Sequence, residues 1–202
     1  MSDADPRLPG AHLGRPLGIP LGLPPGLPRD LGRPLALDLL NTRRQEDGRH
    51  EDLLTTPAGL HTWLAGHGLA DRFPADAASL DAVRATRRAL AAVLAAPDSA
   101  AAAGQLDAIL RRGRIRPTLT AEGPGERAEF ADPSWGAAWT AAHDFLRLLA
   151  TAPDRIRRCG RPDCARYFLD TSRNGTRRWC SMARCGNRAK VARHYARQRG
   201  TR

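Results

Sequence analysis

The sequence lacks long hydrophobic runs and recognisable catalytic motifs. No apolar run in its 202 residues approaches the ~18 residues that a membrane-spanning helix needs. Nucleophile-elbow, phosphate-loop and HExxH patterns are also missing. Lysine is nearly absent, since Lys190 is the only one. We therefore expect neither a membrane protein nor an enzyme, and we expect any basic surface to be built from arginine.

The first 33 residues lack the marks of a signal peptide. Leucine is frequent there, but prolines and glycines interrupt every apolar stretch, and no basic region with a small-residue cleavage site flanks it. This low-complexity composition predicts a largely disordered tail over residues 1–33 with polyproline II character. Without a secretion signal, we expect a cytoplasmic protein.

Residues 34–152 are predicted to form a mainly helical domain. The segment 35–42 is too short for hydrophobic periodicity to decide between helix and strand. Start signals and apolar spacing in the rest predict four helices and one hairpin: helices beginning at Pro57 and at Ser79, a helix over 100–112, a helix from Pro133 to just before Pro153, and strands over 115–120 and 126–131.

Two groups of residues in this domain are candidate binding sites, and we favour a non-functional interpretation of both. Trp135, Trp139 and His143 recur at four-residue spacing, which is more typical of a helix face in the core than of a ligand pocket. The acidic segment from Glu46 to Asp52 is able to hold a metal. However, an acidic segment before a helix is more often a solvated surface.

All four cysteines lie near the C-terminus and fall into two pairs with equal spacing. Cys159 and Cys164 are separated by four residues, as are Cys180 and Cys185, and fifteen residues lie between the pairs. Tetrahedral zinc needs four donors from two short segments, which this pattern supplies. Two disulfides or four unrelated thiols are the alternatives. The equal spacing and the expected cytoplasmic location favour one Zn²⁺ per chain.

The residues around the cysteines predict a small zinc module over residues 153–202. Gly160 and Pro162 suit a zinc knuckle, and residues 167–169 are strand-like. An Asn-Gly turn would return the chain through residues 178–180 as the second strand of a hairpin. Ser181 would then cap a helix that ends near Gly200. The predicted fold is α+β and mainly α, with a helical N-terminal domain followed by a treble-clef-like module.

These residues resemble the CGNR zinc-finger family. Residues 185–188 spell its signature, and further residues of the module match it: Cys159, Cys164, Phe168, Asp170, Ser172, Arg178, Trp179, Cys180, Ser181, Met182 and Lys190. Proteins of that family usually have an N-terminal ABATE domain, which the segment LALDLLNT at 35–42 resembles. The resemblance covers residues 35–199 and implies DNA-binding regulation in response to stress.

The charge distribution points to the same end of the chain. The net charge is +11, yet residues 155–202 alone contain fifteen basic and two acidic residues, so the remainder is slightly acidic. Because lysine is almost absent throughout, the choice of arginine is compositional, and only the clustering indicates function. Phosphate binding is the expected use of such a cluster. The candidate nucleic-acid contacts are Arg173, Arg177, Arg178, Arg188, Lys190, Arg193 and Arg197.

Several functional interpretations remain open from the sequence. A DNA-binding regulator would place its C-terminal helix against a groove, with the N-terminal domain sensing a signal or forming a homodimer. An RNA-binding module would stack bases on its aromatic residues. An adaptor would use the basic face for an acidic protein partner. Asn187 and Arg188 would either contact bases or hold the knuckle in place.

Overall fold

The computed structural model describes residues 34–46, 49–121 and 123–191. The tail expected over residues 1–33 lies outside the described residues. So does the part of the predicted C-terminal helix beyond residue 191, with Arg193 and Arg197. No helix in the described part of the chain is long and apolar enough to cross a membrane.

Five α-helices within the described residues build the N-terminal part of the protein. Three of them have an N-cap residue whose side chain accepts a hydrogen bond from a backbone N–H of the first turn. These caps are Thr56, Asp76 and Ser99. The helices are α1 (Leu35–Asn41), α2 (Pro57–Ala65), α3 (Ala77–Ala95), α4 (Ala100–Leu110) and α5 (Gly136–Thr151).

The prediction that Ser79 opens the second of the expected helices is wrong by two residues. The side chain of Asp76 accepts a hydrogen bond from the Ser79 backbone at 2.8 Å, so Asp76 is the cap and Ser79 lies in the first turn. Ser79 itself is buried. Asp76 is a better cap than Ser79 because its carboxylate also interacts favourably with the positive end of the helix dipole.

Helix α1 occupies the middle of the N-terminal core. Five of its seven residues are buried, and it packs against α3 and α5. A helix this short is marginal in water by itself. Its stability therefore comes from tertiary packing, which resolves the ambiguity of residues 35–42 in favour of a helix.

The polar groups of α1 are bound by other elements of the fold. Asp144 on α5 accepts a hydrogen bond from the backbone N–H of Ala36 at 3.0 Å, and Asp38 lies 2.8 Å from Nε2 of His67. Thr42, directly after the helix, accepts a hydrogen bond from Arg87 on α3 at 2.8 Å. Buried polar groups that are paired in this way do not oppose burial of the helix.

Helix α5 buries Trp139 and His143, whereas Trp135 lies in the 3₁₀ turn Pro133–Trp135 before the helix and is half-buried. Trp139 is 3% exposed, and its indole N–H donates to the carbonyl of Leu110 at 2.8 Å. His143 stacks on Trp139 with ring centroids 4.9 Å apart. Burial lowers the pKa of His143, which favours the neutral ring in this core position.

Two hairpins extend from the helices. Strands β3 (Gly113–Thr120) and β4 (Gly123–Phe130) form the predicted hairpin with slightly longer strands. Strands β1 (Arg43–Glu46) and β2 (Arg49–Asp52) form a second, unpredicted one. The acidic segment was expected to be solvated surface, but Asp52 binds the guanidinium of Arg87 through two hydrogen bonds of 2.7 Å. That ion pair ties β2 to α3.

The C-terminal module contains a different hairpin from the predicted one. Strand β5 (Ile156–Arg158) pairs antiparallel with β6 (Tyr167–Leu169), whereas residues 178–180 form no strand. Ile156 is only 1% exposed because it packs into the N-terminal core, which places β5 beside β6. One backbone hydrogen bond, from Gly160 N–H to the carbonyl of Arg178 at 2.8 Å, ties the predicted return segment to the knuckle.

The remaining elements complete a mainly α fold with small two-stranded sheets, which confirms the predicted class. Ser181 caps a tight turn over Met182–Gly186, as predicted, and residues 187–191 continue as α-helix. Both strands of the module's sheet lie close to α1 or to the helical core. The exact domain boundaries at residues 34, 152 and 153 stay predictions.

Substituting Leu39→Ala should lower the free energy of unfolding by about 2–5 kcal/mol, because Leu39 is fully buried in α1 and leaves a cavity. Urea denaturation followed by circular dichroism measures this change. Leu119→Ala is the matched control, since Leu119 is 83% exposed and should change stability by less than ~0.5 kcal/mol. Equal effects of the two substitutions would contradict the central position of α1.

Candidate metal centre

Two tight turns bring the four cysteines together. Cys159 and Cys164 lie in the connection between β5 and β6, where backbone hydrogen bonds link Cys159 to Arg166 and Cys164 to Arg161. Cys180 precedes the turn that Ser181 caps, and Cys185 lies within it. The backbone N–H of Cys185 donates to the carbonyl of Ser181 at 2.9 Å, so this turn directs the last sulfur towards the other three.

The distances between the sulfur atoms fit a tetrahedral metal. All four Sγ atoms lie within 4.8 Å of one another. Cys180 Sγ lies 3.8 Å from Cys164 Sγ and 3.6 Å from Cys185 Sγ. Zinc–sulfur bonds of ~2.3 Å place tetrahedral sulfurs about 3.8 Å apart. All four thiols are free, and these separations are far longer than a disulfide bond of ~2.05 Å. The two-disulfide alternative is therefore excluded.

The thiols are not able to ionise together without a cation. A hydrogen bond from Cys180 lowers the pKa of Cys159 to about 5. The same contact raises the pKa of Cys180, and burial raises that of Cys185 to about 11. A bound divalent ion would lower the pKa of every thiol that it contacts, so that all four cysteines become thiolates. The cluster is thus a four-thiolate site for one zinc ion, which confirms the predicted cofactor.

Comparison with protein families identifies both parts of the chain. Residues 155–198 match the CGNR zinc finger, and residues 33–152 match the ABATE family, described as "Putative stress-induced transcription regulator". The chain belongs to the ABATE family and ends in a CGNR zinc finger. The order of the two domains and the resemblance inferred from the sequence are confirmed. A search among curated proteins finds no match.

The glycine of the CGNR signature is required by close packing in the zinc finger. A Cβ atom at Gly186 would lie 2.6 Å from the sulfur of Met182 and 3.2 Å from the indole of Trp179. Trp179 in turn packs against the buried cysteines. A larger residue at this position would push apart the side chains that cover the metal centre. The signature is therefore explained in part by sterics around the sulfur cluster.

Asp170 organises the loop between the two cysteine pairs. It is 2% exposed, and its carboxylate accepts hydrogen bonds from the backbone and hydroxyl of Ser172 and from the backbone of Arg177. Burial alone would raise the pKa of Asp170, but these hydrogen bonds and the charge of Arg157 outweigh burial and lower it. Asp170 is therefore a charged group that holds residues 170–177 in one conformation.

Three arginines of the zinc finger are directed into its interior. Arg157 is 5% exposed and lies 3.6 Å from the carboxylate of Asp170. Arg155 donates to the carbonyl of Ser172 at 2.7 Å. Arg177 donates to the carbonyls of Trp179 and Cys180, and its guanidinium lies 4.9 Å from the centre of the Phe168 ring. These cations stabilise the fold of the finger and its metal-binding turn.

The residues expected to contact nucleic acid occupy two environments. Arg173, Arg188 and Lys190 are exposed, and so is Arg178, which lies 5.5 Å above the Trp179 ring. Arg177 is half-buried and binds backbone carbonyls of the finger, as described above. Arg193 and Arg197 lie outside the described residues. Asn187 is also exposed. The roles of these side chains on nucleic acid stay predictions.

Sequence reasoning missed the structural roles of Asp170 and Arg157. Asp170 belongs to the residues that resemble the CGNR family, and it is one of only two acidic residues among residues 155–202. That rarity was the available signal, since a lone carboxylate among many arginines is expected to be paired. Nothing in the spacing of Arg157 distinguishes it from its exposed neighbour Arg158.

The purified protein should contain one zinc ion per chain, and a strong chelator should unfold the zinc finger. Metal binding supplies folding free energy of order 10 kcal/mol in structural sites of this kind. Hydrogen exchange should lose protection at residues 159–186 while α3 and α5 stay protected. A content below about 0.3 zinc per chain after reducing purification would contradict the assignment.

Asp170→Asn should lower zinc affinity by about 10- to 100-fold, because the loop that joins the cysteine pairs loses its anionic acceptor. Competition with a chromophoric chelator measures the affinity. Asp163→Asn is the matched control: Asp163 also lies between cysteines and pairs with Arg161, but its side chain is 48% exposed. Equal losses from the two substitutions would show that charge alone, and not the buried loop, supports the metal.

Proposed function

We propose that the protein is a zinc-dependent, DNA-binding transcription regulator. The observation that carries this proposal is the sorting of charge on the zinc finger. Among the described residues from 155 onwards, Asp163 is the one exposed carboxylate, and Asp170 is buried. Six basic residues of the same segment are exposed: Arg158, Arg173, Arg178, Arg184, Arg188 and Lys190.

This charge distribution suits a polyanion. Four thiolates with one zinc ion contribute a net charge of −2, but the sulfurs are covered and the arginines are exposed. The zinc finger therefore has a basic surface, and this surface lies beside the turn that the metal would hold. Phosphate contacts position a protein on nucleic acid, and arginine is well suited to make them. The family description, which names transcription regulation, supports the same proposal.

Duplex DNA is favoured over single-stranded RNA by the environment of the aromatic residues. Phe168 is buried under Arg177, and Trp179 packs on the cysteines. Phe168 is therefore interior, and the half-buried Trp179 packs on the cysteines with Arg178 5.5 Å from its ring, whereas base stacking needs an open aromatic face. Tyr195 lies outside the described residues. The helix that follows the CGNR turn begins with exposed side chains, as a groove-binding helix requires.

The ABATE domain would sense a signal or form a dimer in this proposal, and it needs no catalytic activity. It is joined to the finger by reciprocal hydrogen bonds between the side chain of Asn41 and the backbone of Tyr167, at 2.8 and 2.9 Å. This contact connects the regulatory domain to the proposed binding module. Genome-wide crosslinking of the tagged protein, analysed for DNA and RNA, tests whether it contacts nucleic acid. The proposal also includes a cytoplasmic location.

Binding to duplex DNA should depend steeply on salt. If the finger contacts about four to six phosphates, the logarithm of affinity should fall with the logarithm of salt at a slope of roughly −3.6 to −5.4. Arg173→Ala and Lys190→Ala should each make the slope shallower by about one unit while zinc content is unchanged. Fluorescence anisotropy over a salt series measures both effects.

The matched control is Arg111→Ala, which removes an exposed arginine from the ABATE domain and should leave the slope unchanged. Single-stranded RNA is titrated under the same conditions. Tighter binding to RNA than to duplex DNA would favour the RNA-binding alternative. A wild-type protein that binds neither at low salt would overturn nucleic-acid binding and leave the basic face for an acidic protein partner.

A further inference from the structure

A cleft of about 810 Å³ lies between the ABATE domain and the zinc finger. Its walls come from both domains: Leu37 and Asn41 on α1 and Leu148 on α5 face Tyr167 and Phe168 of the finger. This volume falls within the ~300–1,000 Å³ that small-molecule sites usually have, and such sites are frequent at domain interfaces. The cleft is therefore large enough for a small organic molecule.

The polar lining of the cleft is predominantly cationic. Six arginines border it, against three aspartates: the arginines are Arg44, Arg147, Arg161, Arg166, Arg177 and Arg184. Arg161 pairs with Asp163, Arg44 lies 2.9 Å from Glu51, and Arg177 donates to backbone carbonyls. These arginines already have partners within the protein.

Arg147 on α5 differs because most of its donors are unused. Its closest carboxylate oxygen, on Asp144, is 3.4 Å away, which is longer than a normal hydrogen bond. Its Nε is buried without a hydrogen-bond partner, although the side chain as a whole is 34% exposed. A guanidinium has five N–H donors in a fixed fork, which matches the two oxygens of a carboxylate.

The buried indole of Trp63 also borders the cleft. Trp63 is 3% exposed, and its indole N–H has no hydrogen-bond partner among the described residues. Buried indole N–H groups usually find an acceptor, as that of Trp139 does. Trp63 therefore adds to the apolar wall of the cleft, and the partly exposed guanidinium of Arg147 is its polar anchor.

We propose that this cleft binds a small organic carboxylate with an apolar body. The carboxylate is held by the guanidinium of Arg147, and the apolar body packs between α1 and the finger. The excess of lining arginines favours an anion over a neutral or cationic molecule. The use of this site as a sensor rests on the proposed function. Ligand binding itself is independent of nucleic acid.

The test uses the zinc-loaded full chain without nucleic acid. The probes are benzoate, phenylacetate and hexanoate, each compared with its neutral amide, by isothermal titration calorimetry and thermal shift at fixed salt. At least one acid should bind saturably with a dissociation constant below about 1 mM and raise the melting temperature, and its amide should bind at least tenfold more weakly, because the charged contact is lost.

Arg147→Gln should weaken binding of that acid by roughly ten- to hundredfold, and Arg147→Lys should weaken it less because the charge remains. Arg111→Gln is the matched control, since Arg111 also pairs with an aspartate on its own helix but lies outside the cleft. If Arg147→Gln does not fold, the Arg147→Lys variant and the acid-to-amide affinity ratio of the wild-type protein test the same contact.

Three results would overturn the proposal: no probe acid binds below about 1 mM, acids and amides bind equally, or the Arg147 and Arg111 variants bind alike. None of these results would affect the salt-dependence experiment on duplex DNA. Conversely, a protein that fails to bind nucleic acid but binds the acid through Arg147 would retain the ligand site and lose only its proposed regulatory role.

Discussion

The structure depends on burying α1, a helix of seven residues whose polar groups are bound by distant parts of the chain. Each partner comes from a different part of the chain: Asp144 from α5, His67 from the turn after α2, Arg87 from α3 and Tyr167 from the zinc finger. An unpaired buried polar group costs about 1–3 kcal/mol, so loss of any one of these contacts would destabilise the packing of α1. The segment LALDLLNT thereby positions both domains.

The zinc finger has too few apolar side chains to fold on hydrophobic burial alone. Its cysteine cluster packs with Trp179, while Ile156 belongs to the core of the ABATE domain. The metal joins its two turns, and Asp170 holds the loop between them. Asp170 also divides the arginines into two sets. Arg157 and Arg177, which contact it or its loop, are internal, whereas Arg173, Arg178, Arg188 and Lys190 are exposed.

The sequence was sufficient to predict the metal site but not the strand pairing around it. Equal spacing of the cysteines specifies a local geometry, and a closed four-thiolate site requires little information from the rest of the chain. Strand β6 is only three residues long, so periodicity could not identify its partner. The choice of β5 depends on the burial of Ile156 in a core formed by residues 35–148 of the preceding domain. Helix α1 was ambiguous for the same reason.

The location of the cleft explains how a ligand could influence the zinc finger without touching nucleic acid. A ligand shifts an equilibrium only by its different affinity for two states. Molecules bound inside the ABATE core would have equal affinity whether or not the finger is docked. When the contact between Asn41 and Tyr167 opens, the cleft loses the wall that the zinc finger provides. A molecule bound between α1 and Tyr167 is then held less tightly, so its binding favours the state in which the finger is docked on the ABATE domain. Because coupling is reciprocal, nucleic acid that prefers the docked finger must strengthen ligand binding by the same factor.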